Sequence, residues 1–138
     1  MSWYRNSKPP QVYTAVVLDG PSHLRLVWGM RGHLPEGWET IAHHMTIHLG
    51  RAEEEDGQGE VVRLTAHEWA ADSRVLAVGV LGHPTTDGRR PHVTVGVNRR
   101  GGGEPKDSNL LTGWTPLDPP IELVGTVTEV TRTVGPQD

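Results

Sequence analysis

The chain has 138 residues, a length that suits one hydrophobic core and a single domain over 1–138, with its folded part expected over about 11–132. Thirteen Lys and Arg against 17 Asp and Glu leave a formal net charge of −4, which excludes a global positive field and confines any nucleic-acid binding to a local patch. The absence of Cys excludes a disulfide framework, a thiolate zinc site and a cysteine nucleophile, so 8 His and the carboxylates remain as the strong bases and ligands.

Seventeen Gly and 11 Pro favour short strands joined by tight turns, and apolar–polar alternation supports that choice along most of the chain. Residues 11–18 (QVYTAVVL) read as a strand that ends at the turn residues Asp19, Gly20 and Pro21. From His23 to Trp28, polar His23 and Arg25 alternate with Leu24 and Leu26, which predicts a second strand hairpinned to the first, with Trp28 in the core. Residues 35–43 read as a loop or one helical turn, and His44–Leu49 as a strand. RAEEEDGQGE at 51–60 reads as a solvated hairpin tip.

Two further strands are expected at Glu60–Glu68 and Arg74–Leu81, with residues 69–73 as their connection and Trp69 in the core. A turn-rich loop covers 82–88. The segment 91–98 (PHVTVGVN) alternates cleanly, and its Pro91 is tolerated at a strand entry. Residues 99–116 lack periodicity over a length usually reserved for functional or mobile loops. A last strand is expected at Ile121–Val134, and the first seven and last four residues are expected to be loosely ordered. No apolar leader and no run of about 18 apolar residues is found, so a cytoplasmic protein without membrane contact is expected.

Two of these strands carry one phrase. His44-Met45-Thr46-Ile47 and His92-Val93-Thr94-Val95 each give a His, an apolar residue, a Thr and another apolar residue. Residues i and i+2 of a strand share a face, so each strand shows an imidazole beside a hydroxyl and turns its apolar residues to the core. Two imidazoles suit base and acid work near neutral pH, and hydroxyls can donate to phosphate oxygens as charge builds on them.

On these two tetrapeptides the chain resembles the 2H phosphoesterase superfamily, which includes 2'-5' RNA ligase-like proteins and the cyclic phosphodiesterase domain of tRNA ligases. The resemblance implies a compact, bilobal α+β fold of antiparallel sheets, and the chain's own periodicity makes it β-rich with few short helices, where members of the superfamily normally have at least one helix per lobe. The motifs are 48 residues apart, which implies a trimmed lobe. It further implies a metal-independent cyclic phosphodiesterase without a cofactor, acting on a 2',3'-cyclic phosphate at an RNA end, as in RNA repair, or on a cyclic or 2'-5' linked small nucleotide. His44 and His92 would be the acid–base pair, and Thr46 and Thr94 would hold the phosphate.

Three further residues are substrate-binding candidates from their own chemistry. Lys106 lies in the long loop after Arg99, Arg100 and a Gly triplet, where backbone N–H groups and an ammonium could close over a phosphate. Trp38 and Trp114 lie in loops from which an indole could stack on a base or, alternatively, plug the core edge. Two rival functions share the same residues. One is a nucleotide- or RNA-end-binding module without turnover. The other is a cupin-like barrel in which His44 and His48 join His92 around a metal, against the leading expectation of none. No protein partner is inferred.

Overall fold

Strand-forming Val, Ile, Leu and Thr residues dominate a computed structural model that describes residues 11–132. The strands are β1 (Gln11–Leu18), β2 (Glu39–Thr40), β3 (His44–Leu49), β4 (Val61–Ala71), β5 (Val75–Leu81), β6 (His92–Val97) and β7 (Thr115–Arg132). All pairings are antiparallel, in the order β2-β6-β3-β1-β7-β4-β5, and β5 pairs back onto β6. Six strands thus close into a barrel. β5 and β2 both pair with Gly96 and Val97, so β2 takes the same edge of β6 as β3, one strand-length further on.

Closure gives the barrel an inside and an outside, and the alternation along each strand decides what goes where. Met45 and Ile47 of β3, Val93 and Val95 of β6, and Leu76, Val78 and Val80 of β5 fill the interior with Val16, Leu64, Leu123 and Val127. A smaller cluster of Ala70, Val75, Ala77, Val97 and Leu111 lies apart from it, with Trp114 and Ile41 packed against it. The β-rich antiparallel character agrees with expectation. Where two lobes were expected, the strands instead join one continuous sheet that closes on itself.

One predicted strand is a helix. Residues 20–30 form α1 (Gly20–Met30), started by Asp19, whose carboxylate accepts the Ser22 N–H at 2.8 Å, and by Pro21 in the first turn. Its buried residues are Ser22, Leu26 and Met30, a spacing of four, and Leu26 and Met30 join the barrel core. Ser22 hides the helical period because it is polar in sequence yet buried, where its hydroxyl accepts the Val124 N–H at 2.7 Å. Leu24 and Trp28 are correspondingly exposed, each at 67 %, so Trp28 is not a core residue; the Arg31 guanidinium lies over its ring. Trp69 is half-buried against the main core, as expected of it.

Other boundaries move for reasons of pairing. β3 and β4 are not neighbours in the sheet, so 51–60 is a crossing connection with a 3-10 turn at Glu54–Asp56 rather than a hairpin tip. Glu53, Glu54 and Glu55 are exposed as expected, but Asp56 is buried. The connection foreseen at 69–73 is shorter, since β4 runs on to Ala71. β7 begins at Thr115, earlier than expected, and the long loop before it contains a 3-10 turn at Pro105–Leu110. Loose ordering foreseen for the first seven and last four residues, and the end of the last strand at Val134, lie outside the described residues. Among the described residues no helix is long and apolar enough to cross a membrane.

Candidate active site

The two His-x-Thr phrases stand side by side. β3 and β6 pair antiparallel with Met45 opposite Val93. One residue along from that pair, the register sets His44 opposite Thr94 and Thr46 opposite His92. With Met45 and Val93 inside, these four side chains share the outer face of the barrel. Diagonal neighbours in a sheet lie about 7–8 Å apart at the backbone, which is the relation of His44 to His92 across this pair.

A cavity of about 620 Å³ opens over this face, and His44, Thr46, His92 and Thr94 all line it. Tyr13 contributes from β1, its ring centred 5.0 Å from that of His44. The loop after β6 supplies Arg99, Glu104, Pro105, Lys106 and Asn109 as a wall, and Arg89 comes from the loop before β6. That wall is fixed at its base. Gly103 donates its N–H to the Asn98 carbonyl at 2.8 Å, and a Cβ there would come within 2.4 Å of the Arg74 carbonyl oxygen. Further along, the Ser108 and Thr94 hydroxyls are 2.8 Å apart.

Burial sets the charge state of both imidazoles. Desolvation, helped by the positive potential of His43 and then His92, pulls His44 down to about 4. His92 is also lowered, chiefly by burial, although its bond to the Arg90 carbonyl acts the other way. Both rings are therefore neutral at pH 7. Because a carbonyl oxygen only accepts, the 2.7 Å contact of His92 Nδ1 with the Arg90 oxygen puts the ring proton on Nδ1 and leaves Nε2 to take a proton. His44 Nδ1 instead meets His43 Nδ1 at 2.9 Å. The basic rim is paired: Arg89 with Asp87 at 2.8 Å, Arg99 with Glu39 at 2.7 Å and Lys106 with Glu104 at 3.2 Å.

Five of the seven candidate residues are thus gathered in one place: His44, Thr46, His92, Thr94 and Lys106. The two tryptophans are held elsewhere. Trp38 packs against the main core and Trp114 against the smaller cluster, with the Arg90 guanidinium 4.8 Å from its ring centre. His48, which strand alternation puts beside Thr46, is engaged by Asp56: Nε2 lies 2.7 Å from the carboxylate and Nδ1 3.0 Å from the Leu49 oxygen. Among the described residues no group of three or more His, Asp and Glu stands ready to hold a metal.

Sequence reasoning did not foresee Tyr13, Ser108 or the contact between His43 and His44 as parts of the site. Tyr13 sits at an outward position of β1, a signal that becomes readable once the order β6-β3-β1 is known. Comparison of the chain with protein-family models, with curated proteins and with solved structures gives no match.

Proposed function

We propose that the protein is a metal-independent phosphodiesterase that opens a 2',3'-cyclic phosphate at an RNA end, or cleaves a cyclic or 2'-5' linked small nucleotide. In this reading the closed barrel is a shortened counterpart of the 2H phosphoesterase arrangement, and the outer face of β3 and β6 is its working surface. The observation that carries it is the convergence of both His-x-Thr phrases on one cavity.

The reaction follows from the groups present. A water attacks phosphorus while one imidazole takes its proton, and the other imidazole protonates the ribose oxygen that leaves. Thr46 and Thr94 donate to the non-bridging oxygens, whose charge rises in the transition state. For Thr94 to donate outward, the Ser108 hydroxyl must donate to it across their 2.8 Å contact, so Ser108 orients that hydrogen. Arg89, Arg99 and Lys106 offset the phosphate charge at the rim, while a net charge of −4 disfavours a long duplex.

The test is hydrolysis of a 2',3'-cyclic nucleotide in EDTA. Wild-type protein is expected to turn over, and His44→Ala and His92→Ala are each expected to lose about 10²-fold or more. Undiminished turnover in either variant rejects the assigned role. Wild-type protein that binds the nucleotide without turnover would make the same cavity a binding module.

A further inference from the structure

A general acid needs a proton to give, and His44 occupies the wall of the cavity where its own charge is hardest to keep. Its neighbour in sequence, His43, is exposed to solvent. In a regular strand, consecutive side chains point to opposite faces and do not meet. Here they do meet, because His43 precedes β3 and follows Ala42, whose φ of 49° turns the chain through the left-handed region. Ala42 is held in that bend from both sides: its N–H donates to the Thr94 carbonyl at 2.9 Å, and its own carbonyl accepts from His23 Nδ1 at 2.9 Å. The result is a contact of 2.9 Å between the two Nδ1 atoms, with the rings at 81°.

Two Nδ1 atoms at this distance share one hydrogen. We infer that His43 is the donor and that the two rings act as one proton-donating unit, with the positive charge on exposed His43 and the transferable proton on His44 Nε2. This rests on the phosphodiesterase reading and assigns its roles: His92 is the base and His44 the acid. The depressed titration of His44, for which the charge of His43 is one cause, agrees with this division.

The protons balance. Before reaction His43 carries hydrogens on Nδ1 and Nε2, and His44 carries one on Nε2. Water attacks phosphorus and gives its proton to His92 Nε2 as the bond to the leaving ribose oxygen breaks. That oxygen takes the proton from His44 Nε2, and the His43 Nδ1 hydrogen passes to His44 Nδ1, leaving both rings neutral. His44 Nε2 then takes a proton from solvent as the shared hydrogen returns to His43 Nδ1, and His92 loses one, which restores the starting state. Other titratable and charged groups face each side of the unit: Asp19 and His23 line a smaller cavity with His43, while Arg89, Arg99, Lys106 and Glu104 face His44 and His92 across the larger one.

The test has two arms on the full chain. In the first, imidazole nitrogen NMR at pH 7 reads where the His44 hydrogen sits. The expected result is a protonated Nε2 with an unprotonated Nδ1, and a hydrogen on His44 Nδ1 overturns the inference whatever the activity. In the second, His43→Ala is assayed on a 2',3'-cyclic nucleotide and on the same compound with sulfur replacing the leaving oxygen, since a thiolate departs without a proton. His43→Ala is expected to slow the oxygen substrate about 10²-fold, mostly in kcat, and the sulfur substrate by less than about 3-fold. His43→Asn, which keeps a donor near the Nδ1 position but cannot carry the charge, is expected to restore the His44 tautomer and not the rate. Equal slowing of both substrates, or none, overturns the relay and leaves the phosphodiesterase reading standing. A wild-type protein that turns over neither substrate removes that reading, and the relay with it.

Discussion

His44 and His48 lie on one strand, on one face, four residues apart, and their surroundings drive them in opposite directions. His44 is walled in by β1, β6 and the long loop, so desolvation pulls it down to about 4. His48 gives both ring hydrogens to acceptors, the Asp56 carboxylate and the Leu49 carbonyl, and the carboxylate bond raises it above its ordinary value. Asp56 answers in kind: burial alone would raise it, but the Glu53 N–H and the His48 bonds outweigh burial and hold it low. One imidazole is kept neutral beside a cavity, while the other is kept charged in an ion pair that ties the 51–60 connection to β3. The difference teaches that the partner a side chain meets, and not its residue type or strand position, assigns a histidine to chemistry or to architecture.

The sharpest way to break this division is at the hydroxyls. Thr46→Val and Thr94→Val keep the shape of the strand but remove the donors, and each is expected to cut kcat on a cyclic phosphate by about 10²-fold with thermal stability nearly unchanged. Steady-state kinetics beside a melting curve checks both halves. If the loss falls on stability, Thr94 and Ser108 are structural and the phosphate is held by other groups.

At the other end of β3 the expectation inverts. Asp56→Ala leaves buried partners of a charged hydrogen bond unmatched and is expected to cost about 2 kcal/mol of stability in urea unfolding, with kcat/KM on the cyclic phosphate unaltered. Lost turnover in a variant that remains folded would show that the two ends of the strand are coupled.

The smallest effects are those of pH. Between about pH 4 and 6.5 the unfolded chain binds more protons at position 44 than the folded chain does, so stability rises with pH through this window. His48, whose folded value is raised, contributes its full stability below its unfolded value of 6.5 and loses it as pH climbs through the folded value. Asp56, whose folded value is lowered, contributes above 3.8 and loses its share as acid titrates it. The slope for one proton cannot exceed about 1.4 kcal/mol per pH unit. Urea midpoints against pH for His44→Asn and His48→Asn should therefore depart from wild type in opposite senses. Profiles parallel to wild type from pH 4 to 6.5 in His44→Asn would refute the desolvation account.

Much of this was written in local periods. Alternation in HMTIHL and HVTVGV puts His and Thr on one face with no knowledge of the fold; β3 begins where expected and β6 one residue later. Helix α1 was not legible, because its buried face is Ser22, Leu26 and Met30, and Ser22 earns its burial only from the Val124 N–H across the molecule. The walls of the site were equally hidden. Tyr13 and Ser108 lie outside both motifs in sequence, and strand order and loop anchoring bring them in. For Trp38 and Trp114 loop position left two uses open, base stacking or a plug at the core edge, and both indoles pack against the apolar clusters.

The ladder between β5 and β6 has a consequence for inheritance of the site through folding. A strand with a free edge can slide past its neighbour by one residue, and such a slide of β6 would turn His92 and Thr94 inward and push Val93 out. With both edges of β6 bonded, to β3 and β2 on one side and to β5 on the other, that mispairing must break two ladders at once. The loop closure that seals the hydrocarbon inside therefore also proofreads the alignment of the reacting groups outside.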